Sequence, residues 1–288
     1  MLDCIIVGSG TAGISAALTL KANAKSFILF GSSALSEKIE KAERIRNYPG
    51  LSNVSGKQFV KALQKQLKDG DIEVCNQRVT GVYALEDKFS VMTDSGNLYE
   101  SRTVIIACGV ESVKQIDGER EFIGRGVSYC ATCDGFLYKN KTIGVVCTSK
   151  RLEHEIGYLA DFAKRVYLVA IYKDVEISRE NITVIKKMPK KIDGGKRVEK
   201  LVFTAPPAEG LLAELPVDGV FMLRESVSPA VLVGGLEMQG GHVAIARDTS
   251  TNLKGCFAAG DCTGRPYQYA KAVGEGNIAA HAVSEFLK

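Results

Sequence analysis

A chain of 288 residues, 45% hydrophobic and 24% charged, is long enough for one large or two ordinary globular domains, and no apolar run reaches the ~20 residues that cross a bilayer. Its formal charge of +4 is too mild for a nucleic-acid surface but suits an acidic protein partner. The first residues, Met1-Leu2-Asp3-Cys4, enter a strand without the basic stretch of a signal peptide, so the expected compartment is the cytoplasm.

Strand and helix patterns alternate along the chain, the mark of an α/β protein. The spacing predicts a strand at 3–7, a helix over 11–22 and a strand at 26–30, with the turn Gly8-Ser9-Gly10-Thr11-Ala12-Gly13 between the first two. Asn47-Tyr48-Pro49-Gly50 reads as a turn, 56–67 as a helix, and 74–83, 89–93 and 98–101 as a small antiparallel meander. TVIIACG, 103–109, reads as a buried strand ending in glycine. From about Val113 the rhythm restarts: strand 142–146, helix 151–163 and strand 166–171 repeat the first unit. Strands follow at 183–187, 200–204 and 219–223, with a break at Pro206-Pro207. A third stretch begins near Gly234 and runs through LKGCFAAGD, 253–261, to a helix at about 274–286.

The glycine turn follows a strand and opens a helix. Gly8, Gly10 and Gly13 permit a tight turn and close backbone approach there, and the helix start at Thr11 and Ala12 offers N–H groups to a pyrophosphate. The alternative is a tight turn with no ligand. The second strand ends Leu29-Phe30-Gly31, without the acid that grips a ribose, so the residues alone leave the dinucleotide unspecified. Six of the eight cysteines (Cys4, Cys75, Cys108, Cys147, Cys256 and Cys262) are scattered singly and read as small buried hydrophobes. Cys130 and Cys133 form a CxxC that can open and close as a disulfide, with Asp134 beside it to move a proton. As half a zinc site the pair lacks two further ligands, and His154, His242 and His281 stand apart, so no metal is expected. Gly260-Asp261 ends a strand with a carboxylate able to hold a hydroxylated ligand. The run from Lys186 to Lys200 holds seven basic residues against two acids, either a solvated face or a dock for an acidic partner.

In the order VGSGTAG, NYPG, ACG, CATCDG, CFAAGDC and YQYAKAVGEGNIAAHA, nearly the whole chain resembles the low-molecular-weight thioredoxin reductase family. The resemblance implies two Rossmann-like (three-layer ββα) nucleotide-binding-type domains, the second inserted into the first. These are an FAD-binding domain, 1–112 and 237–288, and a redox domain, 113–236, carrying the CxxC on a degenerate NADPH-type fold. It also implies a homodimer, and a dithiol that changes position about linkers near 110–113 and 234–237. Gly8, Gly10, Thr11, Ala12 and Gly13 match the FAD pyrophosphate motif, and Gly109 falls in the same cofactor set. Asn47 and Gln268 match residues near the flavin, and Gly260 with Asp261 the turn that holds the ribityl chain. Cys133, beside Asp134, would face the flavin, and Cys130 would attack the thioredoxin disulfide.

The departures from that family separate this chain from NADPH users. Where they carry a second GxGxxA/G, this chain has Cys147-Thr148-Ser149-Lys150-Arg151-Leu152; where they carry HRRxxxR, it has Tyr172-Lys173-Asp174-Val175-Glu176. Arg224 replaces a glycine, and Ser36-Glu37-Lys38 stands in place of a Gly-Gly-Gln loop. The pattern is similar to the ferredoxin-dependent flavin thioredoxin reductases, which implies ferredoxin rather than NADPH as electron donor. A plant-type ferredoxin near about −400 mV and thioredoxin near about −270 mV leave a two-electron driving force of roughly 6 kcal/mol. Three alternatives stand beside it: another donor, such as a deazaflavin or NAD(P)H bound unconventionally; a flavin redox sensor without turnover; and a further flavin or nucleotide in the inserted domain.

Overall fold

The structure is a computed structural model; it describes residues 1–110, 115–224 and 227–288, and of Glu37 and Lys38 the backbone alone. The expected 110–113 linker, past Val110, and the expected 112/113 boundary lie outside the described residues, as do the side chains of Glu37 and Lys38 in the Ser36-Glu37-Lys38 loop. The chain divides into two compact units. Met1–Thr93, Asn97–Glu111 and Ser226–Lys288 form the first, and Asp94–Gly96 with Ser112–Glu225 the second.

In chain order the first segment holds β1 (Leu2–Val7), α1 (Thr11–Ala22), β2 (Phe27–Phe30), α2 (Glu37–Glu40), α3 (Gly56–Asp69), β3 (Val74–Cys75), β4 (Val79–Ala84), β5 (Phe89–Thr93) and β6 (Leu98–Ile106). There follow β7 (Val127–Ser128), α4 (Ala131–Asp134), β8 (Thr142–Cys147), α5 (Glu153–Phe162), β9 (Arg165–Ala170), β10 (Ile182–Ile185), β11 (Lys191–Gly194), β12 (Val198–Val202), β13 (Glu214–Pro216) and β14 (Gly219–Leu223). The last segment holds α6 (Pro229–Leu232), β15 (Met238–Gln239), β16 (His242–Val243), β17 (Cys256–Ala258) and α7 (Tyr269–Phe286).

The first unit is built on one sheet ordered β3-β2-β1-β6-β5-β4, with β17 also on β6. Past Asp3, β1 is apolar because both its faces are covered: Cys4, Ile5, Ile6 and Val7 are all buried. Cys4 and Ile6 join a cluster with Ile14 and Leu20 of α1, Phe59 and Leu63 of α3, and Ala279 and Val283 of α7. Ile5 and Val7 point the other way, into a cluster with Val82, Val91 and Leu232. Side chains of this size contribute about 1.5–3 kcal/mol each on full burial. α3 starts on a capping box in which Ser55 and Gln58 bond each other's backbone N–H, and it buries Phe59, Val60, Leu63 and Leu67 along one face. α7 crosses α1 closely: a Cβ at Gly276 would stand 2.1 Å from the Ala12 carbonyl oxygen.

Two expectations are corrected here. Residues 98–101 and 103–109 are not two strands. β6 is continuous; its first half pairs antiparallel with β5, and Val104–Ile106 pair parallel with β17. The strand runs straight through the polar stretch: Arg102 is exposed, while Ser101 on the other face is 0% exposed and its hydroxyl donates to the Thr103 carbonyl at 2.7 Å. Conversely, 74–83 is two strands: β3 joins β2 in parallel, and β4 turns back onto β5.

The second unit has a parallel sheet ordered β10-β9-β8-β14-β7 and an antiparallel sheet β11-β12-β13. α5 lays Ile156, Leu159 and Ala160 on Ile143, Val145, Leu168 and Phe221. β11 lies inside the basic run, so that run is largely a hairpin. Its Lys191 pairs with Asp193 at 2.7 Å, and Lys200 of β12 with Glu214 at 2.8 Å.

Candidate functional site

β1, β6 and β17 run parallel as neighbours, so the turns after them gather at one edge of the sheet, where open α/β sheets take ligands. Those turns carry Gly8–Gly13, Gly109, and Gly260 with Asp261. Their glycines serve two purposes. A Cβ at Gly8 (φ +117°) would stand 2.3 Å from the Ala107 carbonyl oxygen, and one at Gly13 1.8 Å from that of Gly8. These two are small because the chain packs on itself. Nothing lies within 4 Å of a Cβ built on Gly10 or Gly109. Their bare backbone faces open space, as close approach of a ligand requires. α1 begins behind Gly10 with no side-chain cap and no acid in its first turn, and Thr11 and Ala12 are buried. Its leading N–H groups and positive dipole end suit a pyrophosphate, and the site fits that part of FAD. Where a ribose-binding acid would stand, Ser9 Oγ donates to the Ser32 carbonyl at 3.1 Å and accepts from the Ser32 N–H at 3.0 Å.

The turn presenting Asp261 is held from α7 by residues that sequence reading missed. Glu275 Oε2 accepts from the Gly260 N–H at 2.8 Å and lies 2.8 Å from Thr263 Oγ1. Lys271 Nζ donates to the carbonyls of Gly260 and Gly264 and to Thr263 Oγ1, each at 2.8 Å, and pairs with Glu275 at 3.2 Å. The Lys–Glu spacing of four on a helix was the available signal. α7 also starts at Tyr269, one turn before the expected Gly274. Asn47 Nδ2 donates to Gln268 Oε1, so the structure brings together two residues far apart in sequence.

In the second unit Cys130 and Cys133 are disulfide-bonded across the single turn of α4, with Cα atoms 5.3 Å apart. The Cys130 sulfur accepts from the Cys133 N–H at 3.2 Å, a bond that steadies a thiolate once the disulfide opens. Cys130 is buried, while Cys133 and Asp134 are half-buried. Burial, and then the charge of Asp134, push the Tyr138 hydroxyl above its ordinary value. Phe136 and Leu137, just after the dithiol, are 58% and 54% exposed, an apolar surface suited to a protein partner. Tyr129, just before it, donates to Glu119. The other Glu119 oxygen accepts from the Ile116 N–H at 2.9 Å and from Arg224 at 2.8 Å. Glu119 and Arg224 are 0% and 1% exposed at their side chains, so the residue that replaces a glycine is committed to a buried ion pair. Of the histidines, His154 has company: its ring lies with the carboxylates of Asp94 and Glu155, ligand atoms within 4.8 Å of one another.

The second βαβ turn lies where β8 meets β14, the matching crevice of this sheet. Its own residues bridge it. Thr148 N–H donates to the Leu223 carbonyl at 3.1 Å, and the Cys147 thiol to the Ser149 carbonyl at 3.2 Å. α5 opens with Glu153 and Glu155 in its first turn. Glu153 Oε1 accepts from the Tyr172 hydroxyl at 2.9 Å and the Glu176 N–H at 3.0 Å, and Lys150 pairs with Glu176. A helix start that carries its own carboxylates repels a phosphate.

The family model described as pyridine nucleotide-disulphide oxidoreductase matches residues 2–276. A thioredoxin reductase from Aquifex aeolicus (strain VF5) is 31% identical over 304 residues, covering 99% of this chain and 93% of that one. Among solved structures, a ferredoxin-flavin thioredoxin reductase from Clostridium acetobutylicum superposes with a TM-score of 0.91 at 44% identity, over 99% of this chain and 98% of that one. A thioredoxin reductase from Gloeobacter violaceus gives a TM-score of 0.80 at 29% identity, over 99% and 94%.

Proposed function

Because the chain belongs to the pyridine nucleotide-disulphide oxidoreductase family, and within it is an FAD-binding thioredoxin reductase, we propose that its electrons come from reduced ferredoxin and not from a pyridine nucleotide. The observation that carries this reading is the second βαβ turn. Thr148 ties the ends of β8 and β14 together, and Glu153 and Glu155 occupy the helix start that would receive a pyrophosphate. The likeness to the Clostridium acetobutylicum protein supports the same donor.

Gly8, Gly10, Thr11, Ala12 and Gly13 hold the FAD pyrophosphate, with Gly109, Gly260 and Asp261 lining the same edge and the Asn47–Gln268 pair serving the flavin. Bound FAD supplies the step between one-electron and two-electron chemistry. Cys130 and Cys133 carry the electron pair as a dithiol. Cys130 attacks the thioredoxin disulfide, and the Cys133 thiolate then attacks the Cys130 sulfur. That regenerates the Cys130–Cys133 disulfide and frees reduced thioredoxin. Asp134 moves protons to and from this pair. The enzyme acts as a homodimer. No helix among the described residues is long and apolar enough to cross a membrane. The six other cysteines form no disulfide, which suits the reducing cytoplasm.

The test is anaerobic stopped-flow mixing of the FAD-loaded enzyme with NADPH, NADH and reduced ferredoxin in turn, following flavin absorbance. Ferredoxin bleaches the flavin within seconds and the nucleotides do not. Rapid bleaching by NADPH would sink the proposal.

A further inference from the structure

The reductase reading uses two of the eight cysteines. Two others, read from sequence as isolated buried hydrophobes, meet in the first unit. Cys108 follows β6 and Cys262 follows β17, and these strands are parallel neighbours with Ile106 opposite Ala258. The Ala259 N–H donates to the Ile106 carbonyl at 3.0 Å, which carries the pairing past the strand end. The Cys262 sulfur lies 3.3 Å from the carbonyl oxygens of both Ile106 and Ala259. Cys108 packs against the apolar cluster that holds Cys262, so the paired strand ends bring the two thiols together as neighbours. Neither is in a disulfide, and both belong to one apolar cluster. Among the described residues no third cysteine, histidine or carboxylate completes a metal-sized group around them.

We propose that Cys108 and Cys262 form a second redox-active thiol pair, which small disulfides oxidise to a reversible cross-link between the turns after β6 and β17. The roles of the two follow from their surroundings. Cys108 is half-buried, and Cys262 is 2% exposed. The hydrogen bond with Cys108 and burial hold the Cys262 thiol well above its ordinary range, so it makes a poor first nucleophile. Cys108 therefore meets the oxidant. Its thiolate attacks one sulfur of the small disulfide, forming a mixed disulfide and releasing one thiol. Cys262 then gives up its proton and attacks the Cys108 sulfur, releasing the second thiol. The pair loses two electrons and two protons, and the small disulfide gains them. Thiols on the ends of two paired strands, packed in one cluster, reach bonding distance by side-chain rotation and small backbone adjustment. The cross-link sits beside Gly109 and Asp261, so it ties together two of the turns assigned to FAD. The proposal does not depend on the electron donor.

The experiment uses the FAD-loaded Cys130→Ser/Cys133→Ser variant, so that any disulfide formed is a new one. The protein is treated with oxidised glutathione, its remaining thiols are alkylated, and it is digested with trypsin without reduction. The expected product joins peptide Thr103–Lys114 to peptide Gly255–Lys271 through Cys262, about 2 Da below the sum of the free peptides, and dithiothreitol separates them. Because Cys256 shares that second peptide, fragmentation between Cys256 and Cys262 fixes the site. Adding Cys108→Ala abolishes the joined peptide. In the unsubstituted chain the same oxidation lowers the fully reduced intact mass by about 4 Da and not 2 Da, a reading that needs no variant to fold. Glutathione retained on Cys108 with Cys262 still free, alkylation of both, or a link through Cys256 would overturn the proposal.

Discussion

Removing either partner of the Glu119–Arg224 pair strands a charge in the second unit's interior. The side chains are 0% and 1% exposed, and the guanidinium lies 2.8 Å from the carboxylate. Breaking such a pair from one side costs about 3–5 kcal/mol, most of it the uncompensated charge. Glu119→Gln keeps an acceptor for Tyr129 but leaves Arg224 unneutralised; Arg224→Met keeps the packing but isolates the carboxylate. Replacing both removes the charges together. Its cost falls well below the sum of the singles, a coupling of about 3 kcal/mol. The assay is amide hydrogen exchange in β8 and β14, the strands at the centre of the unit's sheet. Each single substitution lowers protection there by roughly 150- to 4000-fold, the same 3–5 kcal/mol expressed as an opening constant. The double variant recovers most of it. Strictly additive losses would refute the argument.

The glycine turn offers a two-sided test. Gly8→Ala drives a Cβ to 2.3 Å from the Ala107 carbonyl and should fail to fold, seen as lost far-ultraviolet dichroism; Gly10→Val, with open space at its Cβ, should fold but lose FAD absorbance. Glu275→Gln weakens charge-assisted bonds worth about 1.5–3 kcal/mol, so FAD affinity measured by equilibrium dialysis should fall by roughly 10- to 100-fold. Phe136→Ser should raise KM for thioredoxin while leaving the rate of flavin reduction unchanged, since Phe136 is exposed beside the dithiol. Asp3 carries a pH signature. Its carboxylate accepts from the Ser26 N–H and hydroxyl, both at 2.9 Å, and the backbone bond foremost holds its pKa below the ordinary 3.8. A depressed carboxyl stabilises fully above the unfolded pKa of about 3.9 and less as pH falls through the folded value. Asp3→Asn should therefore lose stability at pH 7 and show a shallower acid transition, followed by urea midpoints from pH 6 down to pH 2.

The parts legible in sequence are those where neighbouring residues make the argument alone. The glycine turn, the apolar run of β1 and the CxxC each fit within a short window. What escaped depends on partners supplied from a distance. Glu119 and Arg224 are 105 residues apart, and only the sheet makes them a pair. Cys108 and Cys262 are joined by the β6–β17 pairing, which neither local pattern announces. β11 was hidden because its one buried apolar residue, Ile192, stands among paired lysines and two glycines that read as a solvated loop. α7 begins at Tyr269, ahead of the expected Gly274, and the Gly276 inside it is there for the contact with Ala12. At the second turn, the sequence displayed the lost glycines but not the Thr148–Leu223 bridge or the carboxylate bonds of Glu153.

The place of β17 also bears on how the protein is made. β6 emerges from the ribosome with Val104–Ile106 exposing a strand edge that β17 covers only when Cys256–Ala258 appears. At ordinary translation speeds the stretch between takes roughly 8–30 s to synthesise. For that interval the first unit is an unfinished sheet with a bare edge, the kind that recruits foreign strands. The second unit is by then entirely synthesised and can fold. The nascent first unit is thus the step at which a chaperone would act, and premature termination anywhere between β6 and β17 yields an aggregation-prone fragment.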